Sequence, residues 1–434
     1  MKSDLHKVLH PIAGRPMLLH LIASVGELAP QRTLVVVGAR REQVEAAVAP
    51  VGAEIVHQAE QLGTGHAVAQ AEDALGGFAG DVLILYGDAP LVTAATMRRM
   101  IERLHAPDQP ACVVLGFRPP DPGAYGRVIA DQDGRMVKIV EFKDASPEER
   151  AETLCNSGLM AVRNEDLFAL LARVGNANAA GEYYLPDIVM LAVGDGRVAA
   201  VIETDAAEVA GVNSRAELAE VEAFWQAQRR ARAMVEGATL IAPETVWFSY
   251  DTEVGRDVTI EPNVMFGPGV SIADGATIHA FCHFEGATVG QRAEVGPYAR
   301  LRPGAVIGKR AKVGNFVEIK KSKLGEGAKA NHLTYLGDAT VGAGANIGAG
   351  TITCNYDGFF KYRTEIGEGA FIGSNSALVA PVTIGAGAIT GAGAVITKDV
   401  EADALALVRP EQIAKSGWAK RFRERMAARK KERG

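Results

Sequence analysis

The sequence predicts two different folds in one chain, an α/β domain followed by a parallel β-helix. Aliphatic–glycine pairs recur about every six residues through the second half, as in Val289-Gly290, Val295-Gly296 and Ile307-Gly308. A fixed short period over such a length indicates a solenoid, and six residues fit one short strand and one tight turn. In the first half, apolar strand candidates alternate with amphipathic helix candidates, which is typical of an α/β fold with a central sheet.

The first half contains four apolar runs whose length and composition suit buried parallel strands. These runs are residues 33–38, 54–57, 82–86 and 112–117. Helix candidates follow at residues 41–48, 65–75 and 93–104. Ligands in such folds bind beyond the carboxyl ends of the strands, so Gly87 and Asp88 are well placed for chemistry.

A long helix is predicted to join the two halves. Ser214 and Glu217 have the spacing of a capping box, and the helical pattern continues to about residue 236, before Gly237. We therefore expect an α/β domain at residues 1–213, a linker helix at 214–237 and a β-helix at 238–410. The basic segment 411–434 is interpreted as a solvated tail.

The composition restricts the possible partners and compartments. The chain has 434 residues, of which 48% are hydrophobic, and its net charge of −6 gives no electrostatic case for nucleic-acid binding. Its four cysteines form no CxxC pair. No apolar run is long enough to span a membrane, and no signal peptide is evident. We therefore expect a reduced, cytoplasmic protein that binds neither membranes nor nucleic acid.

Three segments of the first half carry residues that could act on a nucleotide. Asp88 could hold Mg²⁺ against a triphosphate, with an N-cap or Asx-turn before Thr93 as the structural alternative. The segment 58–65, Gln-Ala-Glu-Gln-Leu-Gly-Thr-Gly, opens a helix, and its free amides could bind a base edge or a phosphate. Lys7 could neutralise a phosphate, although a lone lysine is more often a solvated surface charge.

One histidine of the second half lies in a dense polar string. His332 is part of Lys-Ala-Asn-His-Leu-Thr-Tyr at residues 329–335. A lone histidine is usually structural. A base is nevertheless needed to take the amine proton when an acyl group moves from a thioester to an amine, and histidine suits that role.

These segments, in this order, resemble the sugar-nucleotide pyrophosphorylase family. Nearly the whole chain resembles the bifunctional bacterial enzymes that join a glucosamine-1-phosphate N-acetyltransferase to an N-acetylglucosamine-1-phosphate uridylyltransferase. Besides segment 58–65, the matching strings include Lys7-Val-Leu, Tyr86-Gly-Asp, Tyr125-Gly-Arg, Ile139-Val-Glu, Asn156-Ser-Gly, Gly211-Val-Asn, Arg300-Leu-Arg-Pro, His332-Leu-Thr-Tyr-Leu-Gly-Asp and Ile347-Gly-Ala-Gly-Thr-Ile-Thr-Cys-Asn-Tyr-Asp-Gly.

The resemblance implies a Rossmann-like nucleotidyltransferase domain that uses Mg²⁺ and UTP. The residues implied to hold UTP are Lys7, Gln58, Gly63 and Thr64. Those implied to line the site are Tyr86 and Gly87, and those implied to bind Mg²⁺ are Asp88 and Asn213. The residues implied to grip the N-acetylglucosamine moiety are Gly126, Glu141 and Asn156.

For the second half, the resemblance implies a left-handed β-helix that transfers an acetyl group from acetyl-coenzyme A. His332 would be the base, Glu318 would orient or tune it, and the backbone amide near Ala349 would be an oxyanion donor. The residues implied to bind glucosamine-1-phosphate are Arg302, Lys320, Tyr335 and Asn346. Those implied to bind acetyl-coenzyme A are Asn355, Tyr356, Ser374, Ala392 and Arg409. A homotrimer with acetyl sites between subunits is also implied, and the product would be UDP-N-acetylglucosamine for cell-wall precursors.

The chain departs from this family at its beginning. The family's glycine-rich phosphate loop and the first strand of its sheet normally precede the Lys7 segment, so we expect two exposed strand edges and an apolar slot. Two explanations are possible: the protein's true start lies upstream of Met1, or the first domain is damaged. We favour the upstream start.

Two other functions remain open. One is acetyl transfer alone, with an impaired first half. The other is a metal-dependent hexapeptide protein of the β-helical carbonic anhydrase type, with zinc on His279, His283 and His332.

Overall fold

The computed structural model of the protein describes residues 1–178 and 180–432. The chain divides into two compact units, Met1–Ala231 and Arg232–Gly434, and the division falls inside one long helix. Within the described residues, no helix is long and apolar enough to cross a membrane.

The first unit alternates strands and helices. Its strands are β1 (Pro11–Ile12), β2 (Arg15–Pro16), β3 (Leu34–Val37), β4 (Glu54–His57), β5 (Asp81–Ile84), β6 (Cys112–Phe117), β7 (Arg127–Ala130), β8 (Met136–Val140), β9 (Cys155–Arg163) and β10 (Ala199–Thr204). Its helices are α1 (Met17–Gly26), α2 (Arg41–Val48), α3 (Thr64–Ala69), α4 (Ala94–Leu104), α5 (Pro147–Arg150), α6 (Asn164–Leu171), α7 (Asp187–Gly194) and α8 (Arg215–Val235). Short 3₁₀ turns occupy Lys7–Leu9, Ala49–Val51 and Asp73–Leu75.

The strands of this unit form a mixed sheet of six strands and smaller two-stranded sheets. The large sheet has the order β10-β6-β9-β7-β8, and β5 also pairs with β9. The expectation of parallel neighbours is confirmed for β3 with β4 and for β6 with β10. The expectation is wrong for the pairing of β5 and of β6 with β9, because both strands run antiparallel to β9. The pattern of apolar runs did not reveal β9. β3 pairs with β4 and β5 pairs with β9, so these strands belong to separate sheets.

Helices cover both faces of the large sheet. Every residue of β6 is buried, and because side chains alternate along a strand, successive residues enter different cores. Cys112 and Val114 pack in a cluster that includes residues of α6 and α7, whereas Val113 and Leu115 pack with residues of α4. The result is a three-layer α/β unit.

The ends of the helices follow their local sequence. Thr93 caps α4 by accepting a hydrogen bond from the Thr96 amide at 3.2 Å. Ser214 and Glu217 form the expected capping box at the start of α8. The helix expected at residues 65–75 is interrupted after α3, and its last residues form a 3₁₀ turn. The side-chain amide of Asn164 donates to the Leu75 carbonyl at the end of this turn.

The second unit consists of short strands and tight turns, and ends with a helix. The strands are β11 (Thr239–Leu240), β12 (Glu253–Val254), β13 (Thr259–Ile260), β14 (Met265–Phe266), β15 (Ser271–Ile272), β16 (Thr277–Ile278), β17 (His283–Phe284), β18 (Ala287–Val289), β19 (Glu294–Val295), β20 (Arg300–Leu301), β21 (Ala305–Ile307), β22 (Lys312–Lys320), β23 (Lys323–Leu324), β24 (Lys329–Gly337), β25 (Ala339–Val341), β26 (Asn346–Ile347), β27 (Ile352–Cys354), β28 (Thr364–Ile366), β29 (Phe371–Ile372), β30 (Ala377–Val379), β31 (Val382–Ile384), β32 (Ile389–Thr390), β33 (Val395–Ile396) and β34 (Leu405–Ala406). A 3₁₀ turn covers Pro243–Thr245, and α9 covers Trp418–Glu432.

These strands stack in parallel, one coil upon the next. Ile260 pairs with Ile278, which pairs with Val295, and all three side chains are buried. A Cβ on Gly342 would run into the backbone of Gly367 and Glu368 in the following coil, so glycine is required where coils come closest. The predicted parallel β-helix is therefore confirmed.

One end of the β-helix is filled by a column of aromatic rings. Phe266 lies between Phe248 and Phe284, with ring centroids 5.3 and 5.2 Å apart, and its side chain is 1% exposed. Offset stacking adds to the free energy gained by burying these rings.

We expect Phe266→Ala to lower the free energy of unfolding by about 3–5 kcal/mol, because it leaves a cavity between two rings. Guanidinium denaturation of the full chain measures this. The control is Phe359→Ala, which removes a ring that is 86% exposed and should change stability by less than about 0.5 kcal/mol. Equal effects from the two variants would show that the buried stack contributes nothing of its own.

Candidate active sites

Three polar residues from distant parts of the first unit meet beyond the carboxyl end of β5. The Lys7 Nζ lies 2.6 Å from Asp88 Oδ2 and 2.9 Å from Asn213 Oδ1. The Val212 amide donates to the Asp88 carbonyl at 3.0 Å, which fixes the segment carrying Asn213. The N-cap of α4 is Thr93 and not Asp88, so the N-cap alternative for Asp88 is wrong.

This cluster fits a divalent cation. A carboxylate oxygen and an amide oxygen converge on one ammonium group, and oxygen ligands of this kind suit Mg²⁺, which usually keeps waters and substrate phosphates as its other ligands. Gly87, next to Asp88, packs so closely that a Cβ there would lie 3.3 Å from Leu18 Cδ1. The oxygens are thus carried by a closely packed backbone.

The loop that opens α3 is shaped by its glycines. Gly63 has a φ of +114°, and a Cβ there would lie 2.6 Å from the Tyr183 carbonyl oxygen. The Gly65 amide donates to that carbonyl, and Thr64 Oγ1 accepts from the Leu185 amide at 3.0 Å. Gln58 is buried beside this loop and donates to the Gly63 carbonyl at 3.2 Å. The structure therefore brings Gln58, Gly63 and Thr64 together.

Gly126, Glu141 and Asn156 are also neighbours. The Asn156 amide donates to the Gly126 carbonyl at 2.9 Å, and a Cβ on Gly126 would lie 3.3 Å from Glu141 Oε1. Burial raises the pKa of the Glu141 carboxyl, and the nearby charges of Asp144 and Asp187 add to the rise. This group offers hydrogen-bond acceptors to a polar ligand.

Tyr86 links these neighbouring groups. Burial raises the pKa of its phenol to about 12, and the nearby Thr64 side chain acts against this rise. The carboxylates of Glu141 and Asp88 lie close enough to add to this rise. Gly158 has a φ of +82° and faces the Tyr86 ring so closely that a Cβ would collide with it. The first unit thus holds the predicted nucleotide and sugar residues in one neighbourhood.

In the second unit, predicted residues occupy the same place in successive coils. The carbonyls of His332, Ala349 and Ser374 accept from the amides of residues 350, 375 and 393, at 3.3, 2.7 and 2.8 Å. Arg409 Nη1 lies 3.5 Å from the Ala392 carbonyl oxygen. These contacts align the four predicted positions along one ridge of the β-helix, which we call the site ridge.

The side chain next to the His332 ring is an asparagine. His332 Nδ1 lies 2.7 Å from Asn315 Oδ1, and the two residues are opposite each other on β24 and β22. Glu318 lies opposite Tyr335, and its Oε1 accepts from Arg302 Nη1 at 2.8 Å. Glu318 was expected to orient or tune the ring, and in the structure its carboxylate is bound to Arg302 while the contact with Nδ1 belongs to Asn315.

A cluster of cations surrounds the Lys320 ammonium. The charge of Lys361 is the largest cause of a lowered pKa at the Lys320 ammonium, and the charge of Arg302 adds to it. Mutual repulsion of this kind marks a place where an anion would be stabilised. Lys361 is not among the residues predicted to bind the sugar phosphate. Tyr356 and Lys361 form an antiparallel bridge, so this loop folds back on itself, which could not be inferred from the repeat.

The remaining predicted residues lie on the neighbouring coils. A Cβ on Gly337 would collide with the Tyr335 hydroxyl and lie 2.7 Å from Asn355 Nδ2, so these two side chains share a small space. Asn355 donates to Asp338 at 2.6 Å, and the Tyr356 side chain is 60% exposed. Asn346 lies on β26, opposite Lys329 in the preceding coil.

The zinc interpretation finds no support in the described part of the chain. Residues 1–178 and 180–432 contain no group of three or more His, Cys, Asp or Glu side chains placed to hold a metal. His279 Nδ1 lies 3.0 Å from Glu261, which accounts for that ring.

Comparison with protein families confirms the predicted fold class for both units. Residues 1–136 match the MobA-like NTP transferase domain. Residues 251–286, 286–321 and 363–398 match the bacterial transferase hexapeptide repeat, the repeat of a left-handed β-helix.

Similar proteins cover almost the whole chain. "Bifunctional protein GlmU" of Sphingopyxis alaskensis is 69% identical over 99% of this chain and 95% of its own length. The proteins of the same name from Rhizorhabdus wittichii and Novosphingobium aromaticivorans are 69% and 67% identical, over 99% and 100% of this chain and 95% and 96% of their own lengths. This chain belongs to the family of bifunctional GlmU proteins.

Proposed function

We propose that this chain makes UDP-N-acetylglucosamine in two steps. An acetyl group moves from acetyl-coenzyme A to the amine of glucosamine-1-phosphate, and a uridylyl group then moves from UTP to N-acetylglucosamine-1-phosphate with release of pyrophosphate. The observation that carries the proposal is that the similarity to bifunctional relatives extends over both units, each of which holds its own cluster of polar residues. Acetyl transfer alone is not favoured for the same reason.

For acetyl transfer, we assign the chemistry to the site ridge. The amine nitrogen attacks the thioester carbonyl, the C–N bond forms, and the C–S bond breaks to release coenzyme A. His332 takes the proton of the attacking amine. Arg302, Lys320 and Lys361 bind the sugar phosphate, since this cation cluster stabilises an anion.

For uridylyl transfer, the sugar phosphate oxygen attacks the α-phosphorus of UTP and pyrophosphate leaves. Such a reaction needs positioning and charge neutralisation more than acid–base chemistry. Lys7 neutralises phosphate charge, while Gly126, Glu141 and Asn156 position the sugar. Asp88 and Asn213 would hold Mg²⁺, which supplies further charge neutralisation when bound.

A homotrimer is the proposed assembly. Phe281, Tyr298, Phe316 and Leu333 follow one another along the ridge that also carries His332, with side chains between 48% and 62% exposed. The first three rings stack at 4.9 and 5.2 Å. A continuous exposed apolar ridge of this kind supports contact with other copies of the chain.

His332→Ala should lower the rate of coenzyme A release by about 100-fold or more, because the amine proton loses its acceptor. Pyrophosphate release from UTP and N-acetylglucosamine-1-phosphate should be unchanged. The matched control is His283→Ala, which removes an exposed histidine of β17. Normal coenzyme A release by the His332 variant would exclude this residue as the base.

Asp88→Ala should lower pyrophosphate release by about 100-fold or more, because it removes a carboxylate that serves the triphosphate. Adding EDTA to the unaltered protein should have the same effect. Acetyl transfer by the same samples is the internal control and should persist in both. Loss of both activities in a folded protein would contradict the separation of the two sites.

Lys361→Ala should raise the KM for glucosamine-1-phosphate about 10-fold, because a charge-assisted contact to the phosphate is lost. Steady-state coenzyme A release at varied sugar phosphate measures this. Lys323→Ala is the control, since Lys323 is exposed on β23, which belongs to a different sheet of the β-helix. An unchanged KM in the Lys361 variant would remove this residue from the phosphate site.

A further inference from the structure

The hydrogen bond between Asn315 and His332 determines which ring nitrogen carries the proton. Asn315 Oδ1 lies 2.7 Å from His332 Nδ1, a short hydrogen bond between residues 17 positions apart in sequence. An amide oxygen can only accept, so the proton of this bond resides on Nδ1. A neutral imidazole with its proton on Nδ1 has its lone pair on Nε2. For Nε2, the described residues offer no hydrogen-bond partner.

The backbone holds Asn315 in place on both sides. A Cβ on Gly314 would collide with the backbone of Asn331, so β22 and β24 approach very closely just before the two side chains. Phe316, immediately after Asn315, has a φ of +57°, and its ring stacks on Tyr298 with centroids 5.2 Å apart. The Asn315 side chain therefore projects from a segment whose conformation is fixed by close packing and stacking.

Among the groups on the strands around His332, the Asn315 side-chain amide is the immediate partner of the ring. The titratable or charged groups on its own strand and on the strands paired with it are Lys329, Tyr335, Lys312, Glu318, Lys320 and Cys354. The carboxylate among them, Glu318, is bound to Arg302, and Lys312 is paired with Glu294 at 2.9 Å. A carboxylate in contact with a histidine favours the charged imidazolium, which cannot accept a proton, whereas an amide does so far less.

We propose that Asn315 is a positioning residue that holds His332 with its proton on Nδ1, so that Nε2 faces the substrate amine as the proton acceptor. The assignment rests on the proposed acetyl transfer. The Asn315 amide orients the ring and, unlike a carboxylate, places no negative charge beside it. Glu318 serves Arg302, and through it the phosphate, rather than the base.

The test is the pH dependence of coenzyme A release in the variants Asn315→Asp and Asn315→Ala. Asn315→Asp keeps an acceptor oxygen but adds charge, so the acid limb of kcat should move to higher pH by about one unit or more, with near-normal kcat above it. Asn315→Ala should lower kcat about 10- to 100-fold at every pH, with little change in either KM. Pyrophosphate release by each variant controls for the first unit, and guanidinium denaturation controls for folding of the second unit, which carries Asn315.

Three results would overturn the assignment. An unmoved acid limb in Asn315→Asp would show that the ring does not contact this side chain. Loss of activity at all pH values in that variant would show that the amide nitrogen, rather than the oxygen, is required. A normal kcat in Asn315→Ala would show that no positioning is needed. If His332→Ala retained acetyl transfer, the proposed role of His332 as the base would be wrong. This result differs from the three above, so failure of that proposal can be distinguished from failure of the role of Asn315.

Discussion

The constraint on which the second unit depends is the register between coils. Each strand pairs in parallel with the strand one coil away, so a given position always lies above its counterpart. Aliphatic residues then form buried columns, and glycine is required where coil backbones approach too closely for a Cβ. The same register aligns His332, Ala349 and Ser374 along one ridge. The alignment of the proposed site residues is therefore a direct product of the repeat that stabilises this unit.

In the first unit, long-range packing rather than a repeat brings the predicted site residues together. Lys7, Asp88 and Asn213 are separated by up to 206 residues, yet their side-chain atoms meet within 2.6 to 2.9 Å. The fold achieves this because a strand ends just before Asp88 and a backbone hydrogen bond ties Val212 to its carbonyl. Local glycines at positions 63 and 158 then allow backbone and rings to approach closely. Here the position of each group depends on long-range packing.

This difference explains what the sequence could predict. Runs with a clear period, such as β4, β6 and α2, were predicted with their observed ends. The antiparallel strand β9 and the early end of α3 were not, because strand pairing depends on long-range contacts and the local period does not show the break between α3 and the 3₁₀ turn. The proposed roles of Asn315 and Lys361 were missed for a related reason. That of Asn315 depends on its lying one coil away from His332, and that of Lys361 depends on a loop that folds back.

The coil register also determines which changes in chain length the second unit can tolerate. Removing a residue from within a strand would turn the side chains that follow it in that strand to the other face. The register itself survives a one-residue change between strands, because Ile260 pairs with Ile278 across 18 residues and Ile278 pairs with Val295 across 17. An insertion that leaves the coil at a corner and returns to it has no such effect. The structure already contains one, since Ala339 pairs with Thr364 while the loop between Tyr356 and Lys361 projects outward. Evolution can therefore lengthen this molecule at its corners far more readily than along its faces.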